Sequence, residues 1–304
     1  MSMRLELVQF ENTNRVLLPG LLYEPEIKTD KILIRLHGNG SSGGFYGVDN
    51  NNILGKKLTE SGISYLTFTN IGGHLIQRFD QIINDGRSRI LGGSAYELIK
   101  DCIYDIDGAL NFVDFRGYKD IYLMGASTGA NKIAVYNKYK PTNKIKKYIL
   151  ECGGDDAGSY YAPFGERKFN EVLEICKQKI ARIQGLKLIP KKILNYPLSY
   201  QSLFDLINPE GDYNIFPFYW QLNNTVIMKK KPFGEVAKID KPTLIVYGSE
   251  DEYCYGRVPD CVDLLKKVTA GKNNFRFEII EGADHGFLGK WQELANKVVD
   301  FINY

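Results

Sequence analysis

Nine residues constrain this chain more than any others: Tyr122-Leu-Met-Gly125-Ala126-Ser127-Thr128-Gly129-Ala130. An apolar run, 120–124, enters Gly-x-Ser-x-Gly, and an Ala-rich helical pattern leaves it. A serine on a sharp strand-to-helix turn stands clear of the sheet, where a base can reach its hydroxyl and a carbonyl can approach. Such a turn crosses two backbones, so the positions two before and two after the serine must be small. Gly125 and Gly129 meet that condition. If Ser127 is a nucleophile, the rest of the chain must supply a base, an orienting acid and an oxyanion site.

The strand–helix rhythm extends well beyond this turn. Residues 5–10 and 16–23 have the pattern of an antiparallel hairpin. Residues 31–36 and 64–69 read as buried strands, with a helical stretch over 52–61 between them. From 94 to 115 the apolar positions Leu98, Ile99, Cys102, Ile103, Ile106, Ala109, Leu110 and Val113 give one buried helical face. A strand at 148–152 follows the serine's helix. Beyond Gly153 the rhythm breaks into an aromatic, Lys-rich stretch with a long amphipathic helix near 167–185. It resumes with strands at 243–247 and 275–280 and helices at 258–268 and 290–302. Alternation of this kind predicts an α/β fold, a mainly parallel central sheet flanked by helices. Residues 1–153 and 241–304 form the expected core. Residues 154–240 form an expected cap, inserted over the carboxyl ends of the strands where open α/β sheets bind ligands.

Only three histidines exist: His37, His74 and His285. His285 lies in Glu281-Gly-Ala-Asp-His-Gly-Phe287, between the last strand and the last helix, and is the expected base. Between it and Ser127 stands Tyr247-Gly-Ser-Glu-Asp-Glu252, a strand running into a turn of acids. Asp251 is the expected acid, with Glu250 and Glu252 as competitors; it would fix the tautomer of His285 and stabilise the imidazolium. His37 opens His37-Gly-Asn-Gly-Ser-Ser42 at the end of a buried strand. The turn after that strand and the residue after the nucleophile supply oxyanion amides in this arrangement, which selects Asn39 or Gly40 together with Thr128. His37 itself reads as a structural loop residue, and so does His74.

Other chemistries find less support. A net charge of +3 is too small for a nucleic-acid surface, and Lys229-Lys-Lys231 is a short solvated cluster. Five cysteines form no Cys-x-x-Cys pair and leave an odd one, as expected of reduced thiols in a cytoplasmic protein. The amino terminus lacks a signal-peptide core, and no apolar run reaches membrane-spanning length. Gly38-Asn-Gly-Ser-Ser-Gly43 matches the dinucleotide Gly-x-Gly-x-x-Gly, but an extended stretch over 44–50 follows where a helix should open. The next strand ends in Thr69-Asn70 without a carboxylate for a ribose. No phosphate loop and no metal-ligand spacing occur, so no cofactor or metal is expected.

The motifs His37-Gly-Asn-Gly, Gly125-Ala-Ser-Thr-Gly, Gly248-Ser-Glu-Asp251 and Asp284-His-Gly resemble those of the α/β-hydrolase superfamily over nearly the whole chain. More narrowly, residues 196–212, Tyr-Pro-Leu-Ser-Tyr-Gln-Ser-Leu-Phe-Asp-Leu-Ile-Asn-Pro-Glu-Gly-Asp, resemble the insertion of a fungal and plant branch that includes siderophore ester hydrolases. The turn Tyr247–Tyr253 is similar to that branch's acid turn, whereas Gly125-Ala-Ser127 departs from its Gly-His-Ser. The resemblance implies ester hydrolysis of a small or medium-sized molecule without naming the substrate. Phe45 and Tyr46, beside the oxyanion turn, and Phe218 and Trp220, in the insertion, are the expected lining of an apolar acyl or alcohol pocket. Amidase, thioesterase and acyltransferase chemistry use the same three residues, and a ligand-binding protein with little turnover is a further alternative. Neither the substrate nor the oligomeric state is legible.

Overall fold

The computed structural model describes residues 3–44, 47–84, 86–225 and 227–304. Among these residues lie ten strands: β1 (Met3–Glu11), β2 (Leu17–Pro25), β3 (Lys31–Leu36), β4 (Ser64–Phe68), β5 (Gln77–Ile83), β6 (Gly86–Gly92), β7 (Asp120–Ala126), β8 (Lys147–Glu151), β9 (Thr243–Gly248) and β10 (Phe275–Ile280). The helices are α1 (Val48–Glu60), α2 (Cys102–Phe115), α3 (Thr128–Tyr139), α4 (Asp156–Ala181), α5 (Tyr200–Ile207), α6 (Phe218–Leu222), α7 (Gly234–Ala237), α8 (Val258–Val268) and α9 (Trp291–Asn303). Short 3₁₀ turns occupy Ile99–Asp101 and Glu252–Cys254.

Eight strands form one sheet in the order β1-β2-β4-β3-β7-β8-β9-β10. The pairs β1/β2 and β2/β4 are antiparallel and the remaining pairs are parallel. The strand sequences follow from their places. Interior β4 and β9, covered on both faces, are buried at every residue. Edge strand β1 leaves Leu5 and Leu7 exposed and buries Val8 and Phe10. At the far end of the chain, α9 buries Trp291, Leu294, Ala295, Val298 and Ile302, the i, i+3, i+4 stripe of a helix lying on a core.

From β3 the chain steps one way to β4, then returns through α2 to β7 on the other side of β3. Because strand–helix–strand crossovers are right-handed, this reversal puts α1 on one face and α2 and α3 on the opposite face. It also opens a crevice at the carboxyl ends of β3 and β7, the usual ligand position of an open α/β sheet. Ser127 follows β7, and the His37–Gly40 turn follows β3.

Between β8 and β9 the chain makes α4 to α7. The long helix begins at Asp156, about a dozen residues earlier than the periodicity suggests. Its course is broken at Gly165 (φ 70°, ψ 166°), two residues after Pro163. Hydrogen bonds join this stretch to the rest of the chain: Ser199 N donates to Ala95 O at 2.8 Å, Ser202 Oγ to Ser94 O at 2.8 Å, and Ile99 N to Asp205 Oδ2 at 2.6 Å. Two further differences from the sequence pattern stand out. Helix α1 already begins at Val48, within the stretch expected to be extended. The chain also pairs β5 with β6 in a separate hairpin, on which Arg87 and Arg89 lie 3.7 and 3.3 Å from Asp80. No described helix is long and apolar enough to cross a membrane.

Candidate active site

Ser127 sits between β7 and α3 with φ 53° and ψ −124°, a sparsely populated conformation for a residue with a side chain. Such strain costs about 1–3 kcal/mol and persists where neighbours over-determine it. Here the Ser127 amide donates to Glu151 O at 2.8 Å, and Ala130 N donates to Ser127 O at 2.8 Å. The flanking glycines have the role inferred from their spacing. A Cβ on Gly125 would stand 2.2 Å from Gly129 O, and one on Gly129 would stand 2.6 Å from Leu36 O. The turn closes only without those side chains.

His285, on the β10–α9 loop, meets Asp251, which follows β9. Its Nδ1 lies 2.9 and 3.0 Å from the two carboxylate oxygens of Asp251. Asp251 is buried and also accepts from Tyr253 N at 3.0 Å. Burial favours the neutral imidazole, but the hydrogen bond and charge of Asp251, with Glu252 and Glu151 beyond, outweigh it and raise the His285 pKa above 6.5. The two competing acids are placed differently. Glu250 is exposed, and Glu252 accepts from the backbone amide of His285 at 3.1 Å. Tyr253 packs its ring edge-on to the imidazole at 4.5 Å. Among the described residues no hydrogen bond joins Ser127 Oγ to His285, although both line one cavity. Contacts of this kind tighten when substrate arrives.

Asn39 and Thr128 line the same cavity. Among the described residues the backbone amides of both lack a hydrogen-bond partner. Gly40, next in the turn, is not among the residues that line the cavity. It turns at φ 66°, packs toward the Tyr196 hydroxyl, and leaves Gly38 as the glycine facing Ser127. His37 is buried, and its Nε2 accepts from Asn70 N at 3.1 Å. The proton therefore lies on Nδ1, which donates to Gly38 O at 2.8 Å. Burial and nearby Lys132 bring its pKa down to about 3, so His37 stays neutral and ties the β3 turn to the β4 turn. His74 joins two loops through its backbone, with its amide on Ser41 O and its carbonyl accepting from Ser94 N.

The cavity measures about 490 Å³. Its lining differs from the one anticipated. Phe218 and Trp220 do not reach it: both are fully buried, Phe218 against Phe216, Phe233 and Tyr247 and Trp220 against Tyr161. Large rings in an insertion have to be covered: Phe218 packs on Tyr247 of β9, and Trp220 packs within the insertion on Tyr161 of α4. Phe45 and Tyr46 lie outside the described residues. Of the insertion's other aromatics, Tyr160 and Tyr196 line the wall. Asp155 and Asp156 also line it, and so does a buried ion pair in which Arg35 donates to both carboxylate oxygens of Glu151 at 3.0 and 3.1 Å. The Arg35 guanidinium lies 5.0 Å from the Trp291 ring centroid. No sequence motif marks these polar groups, since each sits singly at a strand end or helix start.

Asp155 is spent on structure. It caps α4 through Gly158 N at 2.9 Å and accepts from Tyr219 N at 2.6 Å and Tyr255 Oη at 3.1 Å, while burial raises its pKa to about 6. The five cysteines are free and buried. Cys152 presents its sulfur within 4.8 Å of ligand atoms of Asp251 and His285, the one trio among the described residues with metal-ligand proximity. Burial, with the charge of Asp251 next, pushes that thiol pKa well up, away from the thiolate a metal would need.

The fold is shared with solved structures of low sequence identity. The Pyrococcus furiosus esterase Pf2001 is 14% identical, with a TM-score of 0.59 over 99% of this chain and 91% of that one. The α/β hydrolase GrgF from Penicillium sp. sh18 is 14% identical, with a TM-score of 0.65 over 98% of both chains. The α/β hydrolase domain-containing protein 10 from mouse is 14% identical, with a TM-score of 0.58 over 98% of both. No curated protein matches the sequence. A family model described as "Protein of unknown function (DUF1749)" matches residues 99–303. With this sheet order and these neighbours, the chain has the α/β-hydrolase fold, and it belongs to that DUF1749 family.

Proposed function

We propose that this protein is a serine hydrolase that cleaves a carboxylic ester of a small or medium-sized molecule through an acyl-enzyme. Ser127 Oγ attacks the ester carbonyl as His285 takes its proton at Nε2, the nitrogen left open by Asp251. The oxyanion rests on the amides of Asn39 and Thr128, each able to contribute about 3 kcal/mol to the transition state. His285 returns the proton to the departing alkoxide. Water, deprotonated by the same ring, then attacks the acyl carbon, the Ser127–acyl bond breaks to release the acid, and His285 returns that proton to Ser127 Oγ. Residues 154–240 act as a cap that supplies one wall of the cavity.

The observation that carries this function is a convergence in one cavity. A strained serine, a histidine with a buried carboxylate on its far nitrogen, and two amides without a partner among the described residues meet at the topological switch point. The names of fold neighbours agree with it: an esterase from Pyrococcus furiosus and a monoacylglycerol lipase from Paleococcus ferrophilus share the architecture. Hydrolysis of p-nitrophenyl acetate tests it. Wild type should turn over with a burst of nitrophenol, and Ser127→Ala and His285→Ala should fall to the background rate. Equal rates in wild type and Ser127→Ala would refute the assignment.

A further inference from the structure

The cavity holds one carboxyl group that the proposed chemistry does not use. Asp156, the first residue of α4, is half-buried in the cavity wall. Its Oδ2 accepts from Asn131 Nδ2 at 3.0 Å, and that amide is itself fixed by Gly154 O at 2.9 Å. Among the described residues Asp156 has no ion-pair partner. The cations nearby are taken. Arg35 is bound by Glu151, and the buried Lys132 is bound by Glu97 and donates to Asn70 Oδ1 at 3.2 Å. The wall therefore carries a carboxyl group with no counter-ion among the described residues.

That carboxyl group lies close to the nucleophile. A Cβ built on Gly154 would stand 3.6 Å from Asp156 Oδ2 and 3.8 Å from Ser127 Oγ, so one open point of the cavity touches both oxygens. Spanning them takes a ligand only a few bonds long. Tyr160, Tyr196 and Tyr253 line the same space, and aromatic rings around a carboxylate suit an ammonium ion. Asp155 could not serve, since its oxygens already hold two amides and a phenol.

We propose that Asp156 is a substrate anchor, and that the ester this site prefers carries a protonated amine a few bonds from its carbonyl. The proposal rests on the hydrolase function of Ser127 and His285. Burial and the neighbouring charge of Asp155, only partly offset by Lys132, hold the Asp156 carboxyl well above the usual carboxylate range. An arriving ammonium ion favours the carboxylate, and any proton the group carries leaves to solvent. No bond to carbon is made or broken at Asp156.

Two isosteric ester pairs test the anchor and locate the amine. Ethyl 3-aminopropanoate against ethyl butanoate places the charge on the acyl side. 2-(Dimethylamino)ethyl acetate against 3-methylbutyl acetate places it on the alcohol side. In wild type, kcat/KM should favour the cationic member of at least one pair by roughly tenfold or more, the scale of one charge-assisted hydrogen bond. In Asp156→Asn that ratio should fall to near one. Independently of any variant, butylammonium chloride should inhibit wild type competitively where 1-butanol at the same concentration does not. A wild type indifferent to charge in both pairs, or a cationic preference that survives Asp156→Asn, would overturn the anchor. If no ester turns over and Ser127 resists a fluorophosphonate, the hydrolase function itself fails, and the anchor falls with it.

Discussion

Both carboxylate oxygens of Asp251 face Nδ1 of His285, at 2.9 and 3.0 Å, from a turn in which Glu250 is exposed and Glu252 holds the His285 backbone amide rather than its ring. A buried acid in that position does for the imidazole what an exposed one cannot: it fixes the tautomer and holds the ring through the proton transfer. Asp251→Asn should therefore lower kcat by several orders of magnitude, on the ~10⁴ scale seen when such an acid loses its charge. Glu250→Gln should leave kcat nearly unchanged. Glu252→Gln, which weakens a hydrogen bond to the His285 backbone, should cost less than Asp251→Asn. A kcat that collapses in Glu252→Gln and survives in Asp251→Asn would reassign the acid.

The raised pKa of His285 fixes the sign of the pH dependence. The base must be neutral to accept a proton, so kcat/KM should climb with pH along an acid limb centred above 6.5. Asp251→Asn should move that limb to lower pH, because burial then acts without its counterweight. Stability responds in the opposite sense: the charged His285–Asp251 pair contributes fully below the unfolded pKa, and its contribution fades as pH rises through the folded one. A pH–rate profile and a melting curve across the same range check both. An acid limb below 6.5 in wild type would mean that burial of the ring outweighs the charge of Asp251.

Gly125→Ala and Gly129→Ala should each destabilise the fold and abolish activity, because the added methyl meets backbone oxygen at 2.2 and 2.6 Å. Overpacking usually costs about 1–3 kcal/mol, and backbone yields less readily than a side chain. Urea unfolding measures the loss. Wild-type midpoints in both variants would mean that the turn has room for a methyl group.

The Arg35–Glu151 pair is expected to be structural. Removing one partner of a buried pair leaves a bare charge and costs about 3–5 kcal/mol, so Arg35→Ala should melt well below wild type. Arg35→Met combined with Glu151→Leu should recover much of that loss. A double variant no more stable than Arg35→Ala would show that the pair is needed for more than its mutual charge.

Phe218→Ala and Trp220→Ala should lower stability by about 3–5 kcal/mol, as large-to-small changes in a packed core do. They should leave the relative preference among acyl chain lengths unaltered. Unfolding free energies and a panel of p-nitrophenyl esters separate the two roles. A shifted preference in a stable protein would return these rings to the pocket.

What could be read from the sequence follows from the range of the interactions involved. The elbow, the parallel strands and the order Ser127, Asp251, His285 are carried by local spacing and apolar runs, and the fold has each of these elements. The glycine constraint was legible because sterics act within a few residues. The cavity wall was not. Arg35 and Glu151 are 116 residues apart in sequence, and Asp156 matters only because Gly154 leaves a gap beside Ser127. Phe218 and Trp220 suggested an apolar pocket because composition cannot tell a ring that lines a cavity from one that fills a seam. The β5–β6 hairpin was hidden because its strands are half-exposed and carry charges rather than a buried run.

The most direct test of Ser127 as an activated nucleophile is the intact mass of the protein after treatment with a small fluorophosphonate, followed by peptide mapping. The reagent reports on a nucleophile activated by its base, and it needs no knowledge of the substrate. One phosphonyl group on Ser127, absent from Ser127→Ala and strongly slowed in His285→Ala, is the result predicted. A wild type left unmodified, or modified at any other residue, would contradict it.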